Sequence, residues 1–294
     1  MTYCSGFIAI LGPPNVGKST LLNRILGRKV AIVSPKPQTT RNRILGIRHG
    51  AENQMIFMDT PGIHETRTAL HRSMVESAMA SAREVDQVLL LAEVGRPRDP
   101  RLQPALRNLR NLKKPRVLAI NKIDTGPRER LLPIIDDFAR EGIFDEIIPI
   151  SALKGEGVDA LLESLAARLQ PGPAFFPPDM ETDQTESFFI SEIIREKVFR
   201  FTRDELPYAT AVTVKKMDED PESERLRILA HVYVETNSQK GILIGRGGRM
   251  IKKIGRSARL ELQERFGVPV HLELQVAVEK NWSRDTRALR RLGY

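Results

Sequence analysis

The chain has 294 residues, of which 28% are charged and 41% hydrophobic, a balance that excludes a disordered or fibrous chain and leaves room for two domains with separate cores. A single cysteine, Cys4, excludes internal disulfides and Cys-based zinc sites and agrees with a reducing compartment, and no apolar run approaches the roughly 18 residues that span a membrane. The net charge of +9 favours a polyanionic partner.

The N-terminus enters its first apolar run without a basic segment ahead of a longer apolar one, so no secretory leader is expected. That run, Phe7–Leu11, predicts a strand. Gly12-Pro13-Pro14-Asn15-Val16-Gly17-Lys18-Ser19 follows, and a helical pattern continues from Thr20 to Leu26. Strand, Gly-rich turn and helix start are the context of a phosphate-binding loop. Its backbone N–H groups wrap phosphates at a positively polarised helix end. Lys18 is placed to reach the outer phosphates and Ser19 to ligate magnesium. The chain is therefore expected to bind a nucleoside triphosphate.

Strand-like runs continue at Ile44–Ile47, Met55–Met58, Val88–Ala92, Val117–Ile120 and Ile147–Ile150, and helical patterns fall at about 70–83, 101–112, 128–141 and 157–169. The alternation predicts an α/β domain with a mainly parallel sheet covered on both faces. The short spacing around Gly50 predicts a hairpin, hence one antiparallel strand. Four segments at strand ends or after the first helix extend the chemistry. Thr40, in Thr39-Thr40-Arg41, can close onto magnesium and sense the γ-phosphate. Asp59, in Asp59-Thr60-Pro61-Gly62, can hold magnesium through water, and the Gly62 N–H can approach the γ-phosphate. In Asn121-Lys122-Ile123-Asp124, Asp124 can accept two hydrogen bonds from guanine that adenine cannot supply. Lys122 can lie over the base, and Asn121 can tie this loop to the phosphate loop. In Ser151-Ala152-Leu153, the Ala152 N–H is expected to face the base oxygen. The ordered set is the signature of translation-factor-like GTPases, with GTP or GDP and magnesium as cofactors.

The position that carries a water-positioning glutamine in Ras-like enzymes is Ile63. An apolar side chain cannot orient water, so intrinsic hydrolysis is expected to be slow or to rely on a cation or partner. Asn15 either coordinates potassium or only shapes its loop. The five histidines show no ligand spacing.

From Gln170 to Pro178 the sequence is rich in proline, and residues to Glu186 are polar and acidic. A linker is expected at 171–186, between a GTPase domain at 1–170 and a second domain at 187–294. The second domain reads helix (187–200), strands (209–217 and 225–235), helices (239–244 and 248–265), strand (268–278) and an Arg-rich helical stretch (280–292). Between its middle helices stands Gly245-Arg246-Gly247-Gly248-Arg249, flanked by isoleucines at helical spacing and followed by Lys252 and Lys253. This is the Gly-x-x-Gly loop of a KH domain, which lets the backbone of single-stranded RNA approach while cations neutralise phosphate. The α-β-β-α-α-β order is the type II arrangement. Residues 240–294 hold 13 Lys plus Arg against 5 Asp plus Glu, an electrostatic footprint for RNA. Trp282, among these cations, is a candidate to stack on a base; a packing anchor is the alternative.

The two-domain arrangement resembles the Era family. The resemblance rests on the phosphate loop with Thr20 after Ser19, on Gln38–Arg43, on Asp59–Ile63 and on Val278–Ser283, and it covers essentially the whole chain. It implies a GTP-hydrolysing switch that binds the 3′ end of 16S rRNA and assists assembly of the 30S ribosomal subunit in the cytoplasm, with no DNA partner. The family is also credited with peripheral association at the inner face of the cell membrane, which the sequence supports only by its basic charge. The alternative function is an RNA-binding GTPase acting mainly in membrane-associated or cell-cycle signalling.

Overall fold

The computed structural model describes residues 2–37, 39–60, 84–220 and 224–294. Pro61, Gly62, Ile63 and the helix expected at 70–83 lie outside them. The chain forms two compact units. One holds the described residues up to Ala31 and from Thr40 to Asp183; the other holds Ile32–Thr39 and Gln184–Tyr294.

In the first unit, β1 (Cys4–Leu11), α1 (Lys18–Leu26), β2 (Ile44–His49), β3 (Asn53–Asp59), β4 (Gln87–Glu93), α2 (Gln103–Arg110), β5 (Arg116–Asn121), α3 (Leu131–Ala139), β6 (Glu146–Pro149), α4 (Val158–Ala166) and β7 (Gln170–Pro171) follow in order. The sheet order is β2-β3-β1-β4-β5-β6, with β7 on the side of β1. β1, β3, β4, β5 and β6 run parallel, and β2 is antiparallel to β3, as the hairpin spacing predicts. Val88–Ala92 in β4 is buried throughout, the continuous apolar run of a strand covered on both faces. Helix α2 begins later than the periodicity suggests because Asp99 caps a short turn at Pro100–Leu102, accepting from Arg101 N–H at 2.9 Å.

The stretch expected as a linker is largely packed. β7 pairs antiparallel with Cys4 and Ser5. Phe7 meets Phe175 with ring centroids 5.1 Å apart. Gln54, wholly buried, accepts from Phe175 N–H at 2.7 Å and donates to the Phe176 carbonyl at 2.8 Å. Farther on, Ile47 N–H donates to the Glu181 carbonyl at 2.8 Å. The prolines exclude a helix or central strand, yet an extended chain along an edge tolerates them. The boundary between units accordingly falls after Asp183, not at 170.

The second unit contains α5 (Glu186–Phe201), β8 (Ala211–Asp220), β9 (Arg225–Val234), α6 (Asn237–Ile244), α7 (Arg249–Phe266), β10 (Val270–Val278) and α8 (Thr286–Arg291). Its sheet order is β10-β9-β8, with β10 parallel and β8 antiparallel to β9. Alternate residues of β9 (Leu226, Ile228, Ala230, Val232, Val234) are buried and share a core with Ile190, Ile193, Ile194 and Val198 of α5 and Ile254, Ala258 and Leu262 of α7. One face of the sheet thus carries the helices, the period-two signature of a half-covered sheet. Among the described residues no helix is long and apolar enough to cross a membrane.

The C-terminal stretch is not one helix. Asn281 sits at φ 56°, a single turn covers Trp282–Arg284, and Asp285 caps α8 by accepting from Arg287 N–H at 2.9 Å. Trp282 is wholly buried; its indole N–H donates to the Ala209 carbonyl at 3.0 Å, and its ring stacks on Tyr294 at 5.6 Å. The expectation that it stacks on RNA is therefore corrected: its polar atom and its face are both spent on packing, as usual for a buried indole. Since it is the only tryptophan, its fluorescence reports directly. Saturating RNA should leave the emission unchanged, whereas strong quenching would show a stacked base. Trp282→Ala should destabilise this unit by about 3–5 kcal/mol, measured by calorimetric denaturation.

Candidate functional site

The phosphate loop leaves the C-terminal end of β1 and closes at the start of α1. Gly12 and Gly17 lie at φ 146° and 105°, conformations open to glycine. A Cβ on Gly17 would meet the Asn121 amide at 2.3 Å, so the loop is shaped against the base loop. Val16 is buried in that turn, while Asn15 is exposed at φ 63° and Thr20 half-buried. The Lys18 ammonium folds back to donate to the Gly12 and Pro13 carbonyls, both at 3.0 Å. Burial pulls its pKa down to about 8, with Asp59 opposing and Arg101 adding.

Asp59, at the end of β3, is wholly buried. It accepts from Ser19 Oγ at 2.6 Å, and Ser19 Oγ lies 2.9 Å from Thr40 Oγ1. Its other oxygen, Oδ1, has no hydrogen-bond partner among the described residues. Burial raises its pKa to about 6, against Lys18 and the Ser19 hydrogen bond. Three hard oxygen donors thus converge around an unsatisfied buried carboxylate atom, which fits magnesium. A buried ammonium beside them fits phosphate.

At the end of β5, Asn121 Nδ2 donates to the Val16 carbonyl at 2.8 Å, the tie between base loop and phosphate loop that the sequence suggests. Asp124 Oδ1 accepts from Ser151 Oγ at 2.6 Å, which fixes the carboxylate. Lys122 sits at φ 66°, and its ammonium is held by Glu93 Oε2 at 3.0 Å; only its aliphatic stem is left to cover a base. Glu93 was not legible as part of the site, because the pair forms between the ends of neighbouring strands β4 and β5. One expectation is corrected: Ala152 N–H donates to Asn121 Oδ1 at 2.9 Å rather than standing open to the base oxygen, because the asparagine amide lies between the two loops. Leu153, the next residue, is 66% exposed.

In the second unit, Thr236 and Gln239 form a capping box that starts α6. Gly245, Gly247 and Gly248 follow at φ 70°, 61° and 75°. A Cβ on Gly245 would press on Met250 at 2.9 Å, whereas one on Gly247 meets nothing within 4 Å. Arg246, Arg249, Lys252 and Lys253 are exposed around the loop; Lys253 leans over the Phe201 ring at 4.5 Å. A groove between α7 and β10 is lined by Lys252, Arg256, Arg259, His271 and Glu273. Arg256 and Arg259 were missed by the motif, although Arg256 stands four residues after Lys252 and Arg259 three after Arg256, which puts all three on one helix face.

Comparison with known proteins follows this division. Residues 7–122 match the family described as 50S ribosome-binding GTPase, and residues 205–283 match the KH domain family. The GTPase Era of Syntrophus aciditrophicus (strain SB) is 49% identical over 290 residues, covering 99% of this chain and 95% of its own. The chain belongs to the Era family of GTPases. The Era protein of Geobacter metallireducens is 50% identical, over 99% of this chain and 97% of its own. A crystal structure of Era with MgGDPNP and nucleotides 1506–1542 of 16S ribosomal RNA has a TM-score of 0.96 and 41% identity, covering 99% of both chains. A variant of Aquifex aeolicus Era bound to GDP and AlF4− matches to the same extent.

Proposed function

We propose that this Era-family chain is a GTP-hydrolysing switch that binds the 3′ end of 16S rRNA through its KH unit and assists maturation of the 30S subunit. The observation that carries the reading is the full-length likeness to Era in complex with MgGDPNP and 16S rRNA. The residues support it. The loop Gly12–Ser19 would take the phosphates, Lys18 the outer ones, and Asp124, oriented by Ser151, the guanine edge. Ser19, Thr40 and Asp59 would hold magnesium, which neutralises charge developing on the phosphates. Asn121, with the Ser151–Leu153 loop, would set the depth of the base pocket.

Thr40 is the part that senses the nucleotide. Ordered against Ser19 in the GTP state and released after hydrolysis, it makes the GTP and GDP forms differ. RNA that binds the GTP form better must in turn strengthen GTP binding. Gly62 and Ile63 lie outside the described residues. The Gly62 N–H would approach the γ-phosphate, and hydrolysis would proceed without a catalytic glutamine, with Asn15 holding potassium. A chain in this role would work in the cytoplasm.

Crosslinking in cells followed by sequencing of the bound RNA should return reads concentrated at the 16S 3′ end. Reads spread evenly over cellular RNA would overturn the assignment. In purified protein, replacing potassium by sodium should slow GTP turnover with GTP affinity kept; equal turnover in both salts would remove potassium from the reading.

A further inference from the structure

Residues Ile32–Thr39 run from α1 towards Thr40, yet they belong to the second unit. Ile32, Val33, Lys36 and Thr39 are each held there. Ile32 shares the core of Ile190, Ile193 and Ile194. Val33 N–H donates to Glu196 Oε1 at 3.0 Å. The Lys36 ammonium donates to the Phe199 and Thr202 carbonyls, at the helix end where a cation is favoured. The Thr39 carbonyl accepts from Arg195, whose guanidinium is wholly buried and also donates to Glu192 Oε1 at 2.6 Å.

The contacts do not stop at α5. Glu196 Oε2 accepts from Lys197 at 2.6 Å, and Lys197 also donates to Glu261 of α7, the helix that begins at the Gly-x-x-Gly loop. The side chains of Lys197 and Glu196 are only 5% and 9% exposed. Ion pairs this dry are not softened by water; leaving any one member unpaired is costly, so the set is either whole or broken. A stabilising core would be served as well by apolar residues of similar volume. The placement of the charges, from the peptide before Thr40 to the RNA-binding helix, is what sets them apart.

We infer that Arg195, Glu196 and Lys197 are positioning residues for nucleotide control of RNA binding. They tie the peptide preceding Thr40 to α7, so ordering Thr40 biases the Gly245–Gly248 loop. The inference rests on the switch reading above and adds the residues that transmit it.

The test uses full-length protein and a single-stranded oligonucleotide of the 16S 3′ end. Its affinity is measured with GDP and with a non-hydrolysable GTP analogue, and the analogue's affinity is measured with and without RNA. In the unsubstituted protein the two ratios should agree, at about 5–150-fold. In Lys197→Met and in Glu261→Gln both ratios should fall below about 2-fold, with GDP-state RNA affinity and RNA-free nucleotide affinity kept within about 3-fold. Glu261, 26% exposed, keeps the test alive should Lys197→Met not fold. Variants that are less stable but retain the parental ratio would show a merely structural network and overturn the inference. A ratio of 1 in the unsubstituted protein would overturn it too, leaving the two binding assignments standing. Failure to bind GTP or the oligonucleotide at all would instead strike the functional reading on which it rests.

Discussion

Asp124→Asn is expected to weaken GTP binding by roughly 10⁴-fold and to raise affinity for xanthosine triphosphate. Guanine presents two N–H donors on the edge that a carboxylate can accept. An amide offers one donor in place of an acceptor, which leaves a donor facing a donor. Xanthine carries a carbonyl where guanine carries its amino group, so the same amide becomes complementary to it. The fixed orientation makes the effect large: Ser151 Oγ holds Asp124 Oδ1 at 2.6 Å, and the carboxylate cannot swing away from a mismatch without breaking that bond. Titration with GTP, ATP and xanthosine triphosphate checks the prediction. Equal affinity for GTP and ATP in the unsubstituted protein would remove guanine specificity from this loop.

The second large effect is expected in the KH loop. Arg246→Asp combined with Gly247→Asp should reduce binding of the single-stranded 16S 3′ end by about two orders of magnitude or more at moderate salt, with GTP affinity unchanged. The substitution turns one exposed cation into an anion and adds a second anion where phosphate must pass. The fold should tolerate it, since Arg246 is exposed and a Cβ on Gly247 meets nothing within 4 Å; aspartate is also among the residues that accept a left-handed φ. Gly245 would be a poorer test, because a Cβ there presses on Met250 at 2.9 Å and weaker binding would be ambiguous. Lys252→Ala should act more gently and flatten the salt dependence by about 0.7, the share of one phosphate that is no longer neutralised. Duplex RNA of the same sequence should compete weakly, since a KH loop takes unstacked strands. Full-strength binding by the double variant would move recognition away from this loop, to the groove beside Arg256 and Arg259.

Much of this was legible because it is local. A phosphate loop needs its glycines, lysine and serine within eight residues, and strand ends are marked by apolar runs on one side and by Asp59 or Asn121 on the other. The Gly-x-x-Gly loop and its flanking isoleucines are equally short-range. What escaped depends on distant pairing. Nothing in residue order couples Glu93 to Lys122 or directs the Ala152 N–H to Asn121. The run Glu192–Lys197 has the charge density of a solvated face, yet Arg195 is wholly buried, because its partners come from Glu192 and from a backbone carbonyl far away in sequence. Proline content marked 170–178 as irregular but could not distinguish a free tether from a chain laid along a sheet. For Trp282, the basic neighbours suggested RNA, whereas the carbonyl that takes its N–H is 73 residues away.

The packed course of residues 170–183 bears on how the GTPase unit survives alone. β2 is the last strand on its side of the sheet, with a row of backbone groups that another chain could pair with. Glu181 takes the Ile47 N–H, Thr182 bridges to Gly46, and the Asp183 side chain accepts from the Leu45 N–H at 3.3 Å. The strap thus serves as a built-in guard against edge-to-edge aggregation. A fragment cut at residue 170 would keep every motif assigned to the nucleotide and still expose the strand, while one cut after Asp183 would carry its own cover.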